Sequence, residues 1–240
     1  MDEALQRISL LLGDSNLKTL QSATVIIIGI GGVGSYAAEA LARCGIGNLI
    51  LVDGDTVALS NLNRQAMATY DTIDQPKVKA MKNRILSFNR TTNVETYELF
   101  YTNEDNEVIF AKPVDFIIDA IDTISSKLDI IKYAKEKSIP FISSMGMANR
   151  LDPTKLIISE LSKTTYDPLA RVMRNQVKKL HINGKIPVIC STEIPSIQRT
   201  IIDEAGLTRK EQMPPASSPF VPSAAGLAMA SYVVRTLLKK

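Results

Sequence analysis

Tryptophan is absent from this sequence, and all aromatics together reach only 5%. The core must therefore be built mostly from Ile, Leu, Val and Ala. Cysteine occurs twice, as Cys44 and Cys190, with no CxxC pair, which excludes a four-thiolate zinc site within one chain. Cys44 falls in an apolar helical stretch and reads as a small buried hydrophobe, and Cys190 as a buried structural thiol. Long apolar runs are missing too: residues 23–30 are too few to span a bilayer, and residues 224–238 are interrupted by Ser231, Arg235 and Thr236. That tail reads as a buried or interface helix, and no integral membrane segment is expected. The N-terminus lacks a signal-peptide pattern, so a reduced, cytoplasmic setting is expected. Internal repeats and low-complexity blocks are not seen. The formal charge of +3 is too small to diagnose nucleic-acid binding.

What is present is ordinary globular material: 45% hydrophobic and 22% charged residues over 240 positions, enough for one large core. Residues 24–28 are a continuous β-branched run, suited to a central parallel strand buried on both faces. Residues 35–44 are an Ala-rich helix. Further strands are predicted at 48–52, 94–98, 114–119 and 139–143, separated by helices at 76–88, 103–110 and 126–137. This is βαβ repetition, and the predicted fold class is α/β: a Rossmann-like, doubly wound, mostly parallel sheet with helices on both faces. The pattern changes after Gly146. Residues 1–150 are expected to form the nucleotide-binding core and 151–240 a substrate-side extension packed on the same unit. The extension has an extra strand near 156–159, a helix started by Asp167-Pro168, an apolar run at 187–191 and a proline-rich stretch at 204–222 expected to be a surface loop.

The chemistry is concentrated after the strands. Gly29, Gly31 and Gly34 form a G-x-G-x-x-G turn, with Gly32 inside it, between the first strand and its helix. The first glycine permits the tight turn, the second lets phosphate approach the backbone, and the third lets the helix lie against the sheet. Helix N-terminal amides then face the phosphates. Asp53, 19 residues beyond Gly34, ends the second strand, where an acid accepts ribose hydroxyls. To this point NAD, FAD and ATP fit equally. Arg64 and Lys77 tip the balance to ATP, because a triphosphate needs more cationic support than a pyrophosphate bridge. Asp122, after the fourth strand, is placed to hold Mg²⁺. Any one of these charges alone would be an ordinary solvated side chain. Their joint placement beyond successive strands carries the reading.

Gly29-Ile30-Gly31-Gly32-Val33-Gly34, Asp53-Gly54-Asp55, Leu59-Ser60-Asn61-Leu62-Asn63-Arg64-Gln65, Pro76-Lys77 and Asp119-Ala120-Ile121-Asp122 together resemble the adenylating family. That family includes the ubiquitin-activating enzymes and the molybdopterin-synthase and thiamine-pathway adenylyltransferases. Ser143 to Ala148, Asp152-Pro153-Thr154 and Ser162 to Pro168 are most similar to the branch that cyclises threonylcarbamoyladenosine at position 37 of tRNA. The resemblance implies ATP phosphates at Gly29, Gly31, Gly32 and Gly34, ribose at Asp53, and a phosphate site lined by Asn61, Arg64, Gln65 and Lys77, with Asp55 and Asn63 in the same motifs. It implies Mg²⁺ at Asp122, a homodimer, and Arg7 reaching the triphosphate from the partner subunit. Arg64, Lys77, Asp122 and Arg7 would be the catalytic set. The zinc tetrad of several relatives is absent, and no thioester-forming cysteine matches in residues 160–187.

The implied reaction is attack of a carboxylate on the α-phosphorus of ATP, then intramolecular ring closure on the acyl-adenylate. The alternative is adenylation of the C-terminus of a ubiquitin-like sulfur carrier. A nicotinamide or flavin oxidoreductase and a nucleotide-sensing module are remoter rivals. A cysteine desulfurase or sulfur-carrier partner stays open on these residues. For tRNA, the candidate surface is Arg171, Arg174 and Lys178 at helical spacing, with Lys179, Lys185, Arg199, Arg209 and Lys210 in the same half.

Overall fold

The structure is a computed structural model that describes residues 3–197, 202–203, 206–207 and 215–239. Two short helices, α1 (Gln6–Leu12) and α2 (Asp14–Ser22), lead into β1 (Thr24–Ile28). Then come α3 (Gly34–Arg43), β2 (Asn48–Val52), α4 (Lys77–Phe88), β3 (Asn93–Tyr97), the single turn α5 (Asn106–Ile109), β4 (Phe116–Asp119), α6 (Ile124–Glu136) and β5 (Phe141–Ser144). The second half adds β6 (Leu156–Glu160), α7 (Pro168–Lys179), β7 (Pro187–Ser191), the small antiparallel pair β8 (Ile202–Asp203) and β9 (Gly206–Leu207), and α8 (Phe220–Leu237).

The main sheet has seven strands in the order β3-β2-β1-β4-β5-β7-β6, parallel except for β6, which pairs antiparallel with β7. β1 shows why it lies in the middle. Val25 and Ile27 pack into one core, and Ile26 and Ile28 into the other, as the two-residue period of a strand requires when both faces are covered. The first core is closed by Leu41 of α3, Met81 of α4 and Val233 of α8. The second is closed by Leu128 and Ile131 of α6 and Met173 of α7. Strand order reverses between β1 and β4, so the crevice beyond their C-terminal ends is the topological switch point, where open α/β sheets take ligands.

Asp167 begins α7 as expected, capping it by accepting from the Ala170 amide at 2.9 Å. Two expectations change. Cys44 follows α3 as its C-terminal cap and is half-buried rather than enclosed. Within 204–222, residues 220–222 are the first turn of α8 rather than loop, and 204–205 and 208–214 lie outside the described residues. Pro222 is tolerated there because the first turn of a helix has no intrahelical partner for its missing N–H.

Among the described residues, α8 is the one helix long and apolar enough by composition to cross a bilayer. Its apolar face is instead packed on α3: Val221, Ala225, Met229, Val233 and Leu237 are buried. The approach is close at Gly226, where a Cβ would stand 2.3 Å from the Val33 carbonyl oxygen and 2.9 Å from the Ala37 amide. Neither is a side chain that can move. Gly226→Ala should therefore push α8 off α3 and lower stability by about 1–3 kcal/mol, the usual cost of overpacking. Urea unfolding checks this, and an unchanged midpoint would show that the helices part freely.

Candidate active site

A cleft of about 450 Å³ opens at the switch point, within the size range of small-molecule sites. Its floor is the turn after β1. Gly29 has φ of +93°, and a Cβ there would meet the Ala120 carbonyl oxygen at 2.7 Å, so only glycine fits. Gly31 differs: a Cβ would find nothing nearer than Gln65 Nε2 at 4.0 Å. Its face is an open cradle where a phosphate can reach backbone. Gly34 serves packing, since its Cβ position lies 1.8 Å from the Gly29 carbonyl oxygen, and it does not line the cleft.

Asp53 braces the turn. Its Oδ2 accepts from the Ile30 amide at 2.6 Å and its Oδ1 from the Asp55 amide at 2.8 Å. Burial raises its carboxyl above the ordinary aspartate range, against the lowering influence of Lys77 and those two amides. Lys77 begins α4 with its stem enclosed and its ammonium 2.6 Å from Asp55 Oδ2. Asn61 and Gln65 are buried in the opposite wall, and Gln65 Oε1 is a buried acceptor with no protein donor. The Ala66 amide donates to Ser35 Oγ at 3.1 Å, tying this wall to the start of α3. Arg64 Nη1 donates to the Ser60 carbonyl and to Asn63 Oδ1, both at 2.9 Å.

The charged residues lining the cleft are thus Asp53, Asp55 and Asp122 against Arg64 and Lys77. Three carboxylates outnumber two cations, so a triphosphate entering this chain alone meets an uncompensated negative charge. An open glycine cradle, an orphaned Gln65 oxygen and two cations fit a nucleotide. The deficit calls for further positive charge, and exposed Asp122 can supply an oxygen to a hard cation that also takes phosphate ligands. Among the described residues no cluster of three His, Cys, Asp or Glu side chains could hold a metal unaided.

The ThiF family model matches residues 3–240. The chain belongs to the ThiF family. It is 46% identical over 239 residues to the tRNA threonylcarbamoyladenosine dehydratase of Bacillus subtilis, covering 97% of this chain and 94% of that one. The Escherichia coli dehydratase is 36% identical over 190 residues, 76% of this chain and 71% of that protein. The crystal structure of E. coli tRNA N6-threonylcarbamoyladenosine dehydratase in complex with ATP superimposes with a TM-score of 0.88 at 30% identity, covering 99% of this chain and 94% of that one.

Of the expected ThiF site residues, the structure gathers Gly29, Gly31, Gly32, Asp53, Asp55, Asn61, Arg64, Gln65, Lys77 and Asp122 around one cleft. Two expected binders are displaced from it. Gly34 faces the sheet, and Asn63 holds Arg64 on one side while its Nδ2 donates to the Ser217 carbonyl at 3.0 Å on the other. Arg7 sits on the exposed side of α1, outside the cleft of its own chain. The basic stripe is also uneven. Arg174 is half-buried and donates to the Thr164 carbonyl at 3.0 Å. Because α7 runs back to the start of β7, Lys178 and Lys179 stand about 15–17 Å along the helix from its cleft-side end.

Three groups escaped the sequence reading. Leu99, Phe100 and Tyr101 line the cleft beyond β3, and their position past a strand end was the available signal. Lys127 is fully buried, 2.9 Å from Asp119 Oδ2 and 3.1 Å from Ser143 Oγ, and Ser143 donates to the same carboxylate at 2.5 Å. Arg150, also buried, gives its guanidinium to the carbonyls of Gly146, Tyr166 and Glu193. No periodicity marks a charge as buried.

Neither cysteine lines the cleft. Cys190 is buried in β7, and burial, with Asp167 nearby, pushes its thiol up to about 11. Raised above its unfolded value, the thiol favours the folded state fully below the ordinary thiol range, and that contribution is lost as pH rises through about 11. Iodoacetamide at pH 8 should therefore leave Cys190 unmodified in the native protein and label it after unfolding, as mass mapping would read. Cys190→Ala should keep full adenylation activity. Rapid native labelling with loss of turnover would restore a thioester route.

Proposed function

We propose that this chain is an ATP-dependent tRNA threonylcarbamoyladenosine dehydratase that closes the threonylcarbamoyl side chain of adenosine-37 through an acyl-adenylate. The observation that carries the reading is the cleft itself: an open glycine cradle between Arg64 and Lys77, in a chain that matches the B. subtilis dehydratase over nearly its whole length. Adenylation of a sulfur carrier is the weaker reading. The molybdopterin-synthase adenylyltransferase of Haemophilus influenzae is 31% identical over 66% of the chain.

The chemistry follows from the residues. A carboxylate is a poor electrophile because its leaving group would be oxide. Its oxygen attacks the α-phosphorus, the bond to the β-phosphate bridging oxygen breaks, and pyrophosphate leaves. Arg64 and Lys77 meet the charge that grows on the phosphates. Lys77 does so by exchanging Asp55, which is half-exposed and free to turn to water. Asp53 takes the ribose, and Gly29, Gly31 and Gly32 leave backbone within reach of phosphate. Asp122 would hold Mg²⁺, whose charge would neutralise the phosphates. A nitrogen or oxygen of the same side chain then attacks the activated carbonyl and AMP departs, ring closure being favoured because the nucleophile is already attached.

The charge deficit of the cleft supports a two-fold homodimer in which Arg7 of a second copy enters the site. Residues 1–150 activate the nucleotide in this reading and 151–240 shape the substrate side, with the work in the cytoplasm, where the tRNA is. A cysteine desulfurase or sulfur carrier has no assigned role in this scheme.

The test is ATP-dependent loss of one water from modified tRNA, read by nucleoside mass spectrometry, with a carrier protein as the comparison substrate. Lys77→Ala and Arg64→Ala should each lower kcat/KM by at least about 100-fold while melting within a few degrees of wild type. Mixing Arg7→Ala with Lys77→Ala subunits should restore activity, because one site of each heterodimer is intact. Mixtures no more active than their parents would remove Arg7 from the site.

A further inference from the structure

Tyr166 has a backbone φ of +55°, a conformation that a bulky side chain adopts only against its preference. Asn or Gly would make the same turn without that strain. The residue is nonetheless left 60% exposed. The backbone beneath it is held firmly. The Tyr166 carbonyl accepts from Arg150 Nη2 at 3.1 Å, and the same buried guanidinium holds the Gly146 and Glu193 carbonyls. Asp167, the next residue, lies 3.3 Å from the Cβ position of Gly146. Met147 and Ala148, which follow Gly146, line the ATP cleft. Arg150 therefore fixes an exposed aromatic ring beside the cleft margin. Leu151 and Ile194, which follow Arg150 and Glu193 in sequence, are likewise exposed, at 64% and 67%. Lys163 and Arg171 flank Tyr166 in the chain, both exposed.

We propose that Tyr166 is a stacking platform for an unpaired base of the RNA substrate, beside the cleft that receives the adenylated side chain. The inference rests on the dehydratase reading above. A nucleoside in a loop can reach an active site only if neighbouring bases leave their stack, and an exposed ring accepts any such base by its π-face. Lys163 and Arg171 then meet the adjoining phosphates. A strained conformation that leaves an aromatic residue 60% exposed is accounted for by a ligand that packs on it.

Two variants separate stacking from folding. Tyr166→Phe keeps the ring, and Tyr166→Asn removes it while suiting the left-handed backbone. The measurements are steady-state kinetics with modified tRNA, ATP-induced thermal shift, melting temperature and sedimentation on the same preparations. Tyr166→Asn should raise the KM for tRNA by about tenfold or more, leave the ATP shift unchanged and melt no lower than wild type. Tyr166→Phe should stay within about twofold of wild type. A wild-type KM in Tyr166→Asn overturns the proposal. So does a changed sedimentation coefficient with an unchanged KM, which would assign the ring to a protein contact. If wild-type protein does not act on the tRNA at all, the dehydratase reading fails first and the platform with it.

Discussion

An ammonium and a carboxylate removed together from water lose several kcal/mol of hydration each, and only close, fully bonded geometry returns it. Lys127 and Asp119 meet that condition: both are fully buried, 2.9 Å apart, with Ser143 bonded to each. The remaining Asp119 oxygen accepts from the Ile121 amide at 3.3 Å. The turn that leaves β4 is thus fixed at its first and third residues. Ala120, Ile121 and Asp122 of that turn line the cleft, and the Ala120 carbonyl is what forbids a Cβ at Gly29. The phosphate turn after β1 and the Asp122 turn after β4 are pressed against one another over this ion pair. Substituting one partner leaves the other charged in the dry interior and frees both turns, so the pair sets the shape of the cleft although neither residue faces it.

Preorganisation continues on the cationic side. Lys77 loses its freedom by burial of its stem, and Asp55 holds the ammonium in place at 2.6 Å. Asp55 is half-exposed while Lys77 is buried, so solvent screens the carboxylate's side of the pair and weakens its contribution to stability. Its consequence is positional: Asp55 holds the ammonium at the cleft wall, and a phosphate drawing on Lys77 has to displace that one carboxylate.

The legible part of the molecule is the part written locally. The β-branched run of β1, the glycine spacing and the acids at strand ends each depend on residues a few positions apart, and the order β3-β2-β1-β4 follows from right-handed crossovers. The chain after Gly146 was harder. The extra strand near 156–159 was expected, but its antiparallel direction depends on pairing Leu156 with Ser191 across 35 residues. Asn63 lay inside the binding motif, so its sequence position pointed to the nucleotide. Its hydrogen bond to Ser217, 154 residues away, makes it a support for Arg64 instead. Arg150 carried no signal in the sequence, because burial of a charge is decided by the carbonyls that tertiary folding brings to it.

Those long-range contacts also explain why the two halves act as one site. Arg64 is held by Asn63, and Asn63 by the Ser217 carbonyl. The neighbouring Ser218 Oγ donates to the Arg150 carbonyl at 3.1 Å, and the Asn149 amide to the Ala216 carbonyl at 2.8 Å. Arg150 in turn grips Gly146, Tyr166 and Glu193. Hydrogen bonds linked through short stretches of backbone therefore connect Arg64 at the cleft to the segment that carries Tyr166. Segment 216–218 sits in the middle of it and leads directly into α8, which is locked on α3 at Gly226. The helix that begins at the phosphate turn and the backbone that borders the substrate side are consequently packed against the same element. A shift in one must be absorbed by the other, so the chain before and after Gly146 is coupled mechanically through α8 and segment 216–218.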